Sequence, residues 1–330
     1  RQLSRTVPDF GGGSQVPENL AIVIGGPTAS GKSRLAIDLA LTFDGVVVNA
    51  DASQVYKSIP VISAAPSAED KQKAPHRLYE YLEDEENGNV VSWLEDAAAE
   101  IRKAFSAGRT PVVVGGSGLY LDNLINGSTP IPEVDPAVRG EALEIVNGEG
   151  VGALFERLSA VDPEGAALVN PADATRVRRA FEIFMTTGLS IAEWFKRPMV
   201  KKLPEARFLA IRLLPEKAVL DRRCNLRFDI MTASGALEEV AGLLARQVSE
   251  SLPVMKAKGV PELAAYLRGE TGFEEAAENA KLHTRQYAKR QLTWFRNKLE
   301  ADVTLPDCYA GQADFINDVK KQYNMLQKFA

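Results

Sequence analysis

Unbroken apolar runs that stop at glycine or a small polar residue recur along this chain, with helix-spaced apolar positions between them. Leu20-Ala21-Ile22-Val23-Ile24 is the first, and a continuous run of that length predicts a strand buried on both faces. Leu35, Ala36, Leu39 and Ala40 follow at helical spacing. Gly45 to Val48 and Pro111 to Val114 repeat the β-branched signature, Arg207 to Leu213 predicts a later strand, and Val303 to Leu305 a short last one. Helical stretches fill the intervals, notably Val90 to Phe105. Strand alternating with helix predicts an α/β fold, a parallel sheet flanked by helices.

The strand signal stops between Asp135 and Lys201, with Pro130, Pro132 and Pro136 at the entry and Pro198 and Pro204 at the exit. That pattern predicts a helical insertion domain over 135–201 and a core built from 18–134 plus 202–330. Two long helical patterns, Glu216 to Gln247 and Glu274 to Leu299, predict helices in the C-terminal part. Residues 1–17, with Gly11-Gly12-Gly13 and mixed polar residues, predict a flexible tail.

Composition narrows the class without fixing it. The 330 residues are 45% hydrophobic and 25% charged, ordinary for a globular chain. No apolar run approaches the roughly eighteen residues of a membrane span, so no membrane partner is expected. Cys224 and Cys308 form no paired or zinc-ligand spacing, and a reducing, cytoplasmic setting is the expectation. The net charge of −5 argues against wholesale polyanion binding. It hides a local exception, however: Lys281 to Lys298 holds six Lys or Arg residues and no acidic one. Arg176, Arg178 and Arg179 form a second basic knot. A monomer is expected.

Gly26-Pro27-Thr28-Ala29-Ser30-Gly31-Lys32-Ser33 satisfies G-x-x-x-x-G-K-[ST] at every fixed position, between a predicted strand and a predicted helix. Glycines let consecutive N–H groups curl toward phosphate oxygens at the positive end of a helix. Lys32 adds a point charge, and the Ser33 hydroxyl can ligate Mg²⁺. The motif predicts phosphate binding and is silent about the reaction. Asp51 ends the second strand run, at the sheet edge where α/β proteins bind ligands. It can hold a metal, act as a general base, or simply cap a turn. Gly115-Gly116-Ser117-Gly118 ends the third run, and is either a plain glycine turn or the seat of a hydroxyl aimed at a leaving oxygen.

These segments together resemble the tRNA dimethylallyltransferases, also called tRNA isopentenyltransferases. The resemblance is carried by G-P-T-A-S-G-K-S at 26–33, N-A-D-A-S-Q-V-Y-K at 49–57 and V-G-G-S-G-L-Y-L at 114–121. It is carried further by P-H-R-L at 75–78 and T-R-Q-Y-A-K-R-Q-L-T-W-F-R at 284–296. It implies a P-loop NTPase-like sheet and transfer of a dimethylallyl group from dimethylallyl diphosphate to N6 of adenosine 37, in the tRNA anticodon stem-loop. The loop from Gly26 to Ser33 would then grip the donor's diphosphate, with Mg²⁺ and Lys32 stabilising the leaving group. Asp51 matches the family's general base, Ser117 its hydroxyl, and Arg223 a residue that contacts the donor's phosphates. On the tRNA side the resemblance places Asp51, Ala52, Ser53 and Gln54, then Arg139, Thr175, Arg176, Arg178 and Arg179. It also places Lys289, Arg290, Gln291 and Arg296 there.

Helical geometry supports the last group independently. At 100° per residue, Arg285, Lys289 and Arg296 fall within about 40° of one another. Ala288, Leu292, Phe295 and Leu299 form an adjoining apolar stripe. Departures from the family pattern exist: its I-G-T-A-K-P string reads Val61-Ile62-Ser63-Ala64-Ala65-Pro66 here, and G-Y-[RK] reads Gly259-Val260-Pro261. The zinc finger that eukaryotic relatives often carry has no counterpart, which points to a bacterial type. Three rivals remain from the residues alone. A small-molecule kinase explains the loop and Asp51 but gives the basic helix no purpose. An isopentenyltransferase for free nucleotides has the same difficulty. A GTP-dependent RNA-binding switch would need an N-K-x-D motif, and Asn297-Lys298-Leu299-Glu300 has the wrong last residue.

Overall fold

The computed structural model describes residues 19–328; the tail predicted over 1–17 lies outside them. The described chain forms two compact units, one from the segments ending at Ile125 and starting at Lys202, the other from Asn126 to Lys201. No helix among the described residues is long and apolar enough to cross a membrane.

The first unit opens with β1 (Leu20–Gly25), α1 (Lys32–Thr42), β2 (Gly45–Asn49), α2 (Ala68–Lys73) and β3 (His76–Arg77). It continues through α3 (Val90–Ser106), β4 (Thr110–Gly115) and α4 (Gly118–Asn126). The second unit is helical: α5 (Pro136–Glu149), α6 (Val151–Val161), α7 (Pro163–Ala166), α8 (Ala174–Thr187) and α9 (Ile191–Phe195). Its own core gathers Ala142, Leu154, Leu158, Val177, Phe181 and Trp194. The first unit resumes with β5 (Arg207–Leu213), α10 (Lys217–Ala233), α11 (Ala236–Ala245), α12 (Val260–Leu267), α13 (Phe273–Lys298), β6 (Val303–Leu305) and α14 (Ala313–Lys328).

All six strands run parallel in the order β3-β2-β4-β1-β5-β6. The five longer predicted runs are the strands observed. The two-residue β3 pairs with Val47 and Val48 at the sheet edge and carries no apolar run to announce it. The period-two alternation of β1 divides the core. Ile22 and Ile24 pack with Leu35 and Leu39 of α1 and Val319 of α14, whereas Val23 packs with Trp93 and Ile101 of α3 and Phe295 of α13. Burial on both faces is why these strands read as continuous apolar runs. The apparent single helical pattern from Glu216 to Gln247 is two helices, because Gly235 at φ +112° turns the chain before α11.

The central position of β1, between β4 and β5, makes its carboxyl end the switch point of strand order, where open α/β sheets leave a crevice. β1 and β4 end in register, Gly25 beside Gly115. Glycine is required at 115: a Cβ there would stand 1.9 Å from the carbonyl oxygen of Ala50, backbone that cannot rotate away. Gly115→Ala should therefore cost about 1–3 kcal/mol of stability. Urea unfolding followed by tryptophan fluorescence measures it, and an unchanged midpoint would mean that the loop after β2 yields freely.

Candidate active site

The loop between β1 and α1 is wound by two left-handed residues, Ala29 at φ +63° and Gly31 at φ +89°. A side chain on Gly31 would strike the Tyr309 carbonyl oxygen at 2.2 Å, and the Tyr309 N–H donates to Ser30 O at 2.9 Å, so the loop is braced from behind. Ser30 is fully buried, and its Oγ has no hydrogen-bond partner within the protein. The Lys32 side chain folds back over the loop, its Nζ donating to Pro27 O at 3.3 Å. Ser33 follows in the first turn of α1, exposed.

Two arginines from α10 grip the loop. Arg223 Nε donates to Ala29 O at 2.7 Å, and Arg227 Nη2 donates to Thr28 Oγ1. Arg223 was expected to contact the donor's phosphates, and here it is exposed and holds the loop's backbone; Arg227 was not expected. The available signal was spacing, since four residues on a helix put both side chains on one face. Lys32 is lowered to about 8, chiefly by burial, with the Arg227 charge adding to the fall and the Asp51 carboxylate opposing it. Burial likewise lowers the Arg227 guanidinium from its usual range. Both are enclosed cations with few internal acceptors, the electrostatic condition that favours an arriving anion.

Asp51 stands two residues beyond β2, half-buried. Its Oδ1 accepts from Ser53 N at 3.1 Å and Ser53 Oγ at 2.7 Å. Asn49 fixes the backbone around it, accepting from Asp51 N and donating to Asp51 O and Leu78 O. The loop after β4 is tied to the same place. Ser117 Oγ accepts from Ala52 N at 3.0 Å, which leaves its own proton free to donate, and Ser117 N donates to Ala50 O at 3.2 Å. Three phenols, Tyr79, Tyr120 and Tyr287, are pushed up by burial, with the Asp51 charge contributing to each.

A cavity of about 260 Å³ joins these parts. Thr28, Lys32, Ser33 and Arg227 line it, as do Asp51 and Tyr287, together with the apolar Ile62, Ala64 and Ala257. A second hollow of about 250 Å³ is lined by Ser117, Leu119 and Trp294 and shares Tyr287 with the first. The arrangement can hold a phosphorylated molecule against a carboxylate, with an aromatic-walled approach beside it.

The expected RNA-facing residues divide. Lys289, Arg290 and Arg296 are exposed on α13, whereas Arg285 is half-buried with Nη1 donating to Asn225 Oδ1 at 2.7 Å. Gln291 turns inward: its Oε1 accepts from Thr28 N and its Nε2 donates to Gly116 O, both at 2.9 Å. Both ends of that amide are engaged inside the protein, so the side chain is a structural clamp, unlike its exposed basic neighbours on α13. Gln54 Nε2 donates to Ser63 O and Ala64 O, bracing the loop 60–66. Ala52 is exposed beside Ser117, and Ser53 serves Asp51. Arg139, Thr175, Arg176, Arg178 and Arg179 all belong to the second unit. Arg139, Thr175 and Arg176 are exposed there, and Arg178 Nε lies 3.1 Å from Glu182.

A parallel sheet with a Gly-Lys-Ser loop at its switch point defines an α/β protein of the P-loop NTPase-like class. The sequence profile of the IPP transferases matches residues 54–298, and the chain belongs to that family. It is 45% identical over 291 residues to the tRNA dimethylallyltransferase of Rhodospirillum rubrum, covering 88% of this chain and 89% of the relative. It is 46% identical over 280 residues to that of Rhodospirillum centenum, covering 85% and 89%. Among solved structures it resembles the full-length tRNA isopentenylpyrophosphate transferase of Bacillus halodurans, with a TM-score of 0.64, 34% identity and coverage of 94% and 95%. A eukaryotic dimethylallyltransferase acting on tRNA gives a TM-score of 0.71, 30% identity and coverage of 84% and 69%.

In the free protein Lys32 loses its proton as pH rises through about 8. The ammonium form attracts phosphate, so affinity is fully present below that value and lost above it. Inorganic diphosphate binding, followed by calorimetry, should weaken above pH 8 by about one log unit per pH unit. Lys32→Met should remove that component, and parallel profiles for the two proteins would show that Lys32 makes no contribution.

Proposed function

We propose that the chain transfers the dimethylallyl group of dimethylallyl diphosphate to N6 of adenosine 37 in tRNA. The family and the named relatives support transfer to tRNA. The observation that carries the finer reading is the meeting, in one cavity, of the phosphate loop, two enclosed cations and the Asp51 carboxylate. A nucleotide kinase does not need the exposed basic face of α13.

In this reading the adenine leaves its stack and enters beside Ser117 and Trp294, the aromatic-walled hollow that shares Tyr287 with the donor cavity. The N6–C1 bond forms, the C1–O bond to diphosphate breaks, and the N6 proton passes to Asp51. Held by Ser53 on one oxygen, Asp51 keeps the other, near Gly116, for that proton. Lys32 and Arg227 stabilise the negative charge that grows on the departing diphosphate, and the peptide groups of the loop hold it in place. The Ser33 hydroxyl, a hard oxygen lining the cavity, would hold a magnesium ion. When bound, such an ion supplies Lewis-acid stabilisation of the leaving group. Lys289, Arg290 and Arg296 contact the RNA backbone from the exposed face of α13, and Arg139, Thr175, Arg176, Arg178 and Arg179 contribute from the second unit.

Incubation with labelled dimethylallyl diphosphate, Mg²⁺ and either bulk tRNA or AMP tests the reading. Label should enter tRNA at position 37, whereas label in AMP, or in neither acceptor, overturns it. Asp51→Asn should lower kcat by about 10²–10⁴-fold with tRNA affinity within a factor of about three. An equal loss of both would make Asp51 a recognition residue. Replacing Lys289 and Arg290 together with Ala should raise the KM for tRNA and flatten the salt dependence by roughly one to two units of log–log slope. An unchanged slope would mean that these cations do not meet the backbone.

A further inference from the structure

We propose that Ile62 closes the donor cavity and restricts the enzyme to five-carbon isoprenoid diphosphates, excluding the ten-carbon homologue; the proposal rests on the donor reading above. Once Thr28, Lys32, Ser33 and Arg227 are assigned to the diphosphate, the aliphatic wall left for a hydrocarbon is Ile62, Ala64 and Ala257, beside the Tyr287 ring and the polar Ser63, Lys258 and Thr284. Ile62 is 5% exposed. Its Cδ1 would stand 3.1 Å from a Cβ built on Gly259, and Phe228 Cε2 lies 3.4 Å from that same point, so glycine at 259 makes room for the isoleucine tip. Val254, Met255 and Val260 belong to the same buried apolar cluster, leaving dense core around Ile62.

That wall is also anchored. The N–H groups of Val61 and Ile62 both donate to the Glu239 carboxylate, at 2.7 and 2.9 Å. Gln54 holds Ser63 O and Ala64 O from the other side, and Ala64 is itself left-handed at φ +55°. A loop fastened at four successive residues cannot retreat to admit a longer tail, and extra methylenes forced against packed core are rejected.

The test compares kcat/KM for dimethylallyl and geranyl diphosphates, with the full chain, bulk tRNA and Mg²⁺, alongside inhibition by inorganic diphosphate. The wild type should favour the five-carbon donor by at least about 100-fold. Ile62→Ala should raise the geranyl-to-dimethylallyl ratio by about tenfold or more, and the gentler Ile62→Val should raise it by about two- to threefold. Inhibition by inorganic diphosphate should stay within about twofold, because the phosphate grip is untouched. Ile62→Val decides the matter if the alanine variant does not fold. The proposal is overturned if the wild type uses both donors alike, or if a folded variant transfers dimethylallyl with the ratio unmoved. Failure of the underlying donor reading looks different: the wild type would then use neither isoprenoid diphosphate.

Discussion

The buried amide of Gln291 joins parts of the site that the chain keeps far apart. Its oxygen takes the Thr28 N–H of the phosphate loop, and its nitrogen gives to the Gly116 carbonyl of the loop after β4. Both bonds are inside the protein, where leaving either group unpaired costs about 1–3 kcal/mol. The clamp also fixes α13 against the carboxyl edge of the sheet. Phe295 packs so closely that a Cβ on Gly25 would meet its ring at 2.5 Å, and Trp294 lies as close to Gly118. The same helix presents Lys289, Arg290 and Arg296 on its exposed side. One element therefore braces the phosphate loop with one face and offers positive charge to solvent with another.

The electrostatics follow from that enclosure. Lys32 and Arg227 are desolvated cations whose nearest acceptors are a carbonyl and a hydroxyl, not carboxylates. Such charges are costly until an anion arrives, so the site is arranged in advance for a negatively charged group. Asp51 is close enough to influence Lys32 but is tied to Ser53 instead. The separation matters chemically, because a carboxylate paired directly with the lysine would neutralise the cation and be neutralised by it. Ringing Asp51 with Tyr79, Tyr120 and Tyr287 surrounds it with groups that stay neutral.

Much of the fold was legible because its determinants are local. Strands buried on both faces must be continuously apolar, and β1, β2, β4 and β5 were readable for that reason. The β3 pairing was not, since two residues joining an edge strand need no hydrophobic signature. The break between α10 and α11 depends on one left-handed glycine inside an otherwise helical pattern. Among site residues, the loop from Gly26 to Ser33 was readable because its spacing is set by phosphate geometry. Arg227 was missed because its spacing from Arg223 shows a shared face of α10 but not that this face packs on the loop. Gln291 was grouped with its basic neighbours, although at 5% exposed it points the other way.

By itself, the sequence determined the parallel sheet, the phosphate loop, the strand-end carboxylate and the acid-free basic stretch from Lys281 to Lys298, since each is written in hydrophobic period or in consecutive residues. Only the tertiary structure decided which side chains converge. Thr28 and Gln291 are separated by 263 positions, and Arg227 and Thr28 by 199, yet each pair is hydrogen-bonded. The apolar wall of Ile62 and Ala257 likewise exists only where separate segments meet. Local periodicity reports how a residue sits on its own element. It cannot report what that element is packed against, because the packing is chosen by the burial of the whole core at once.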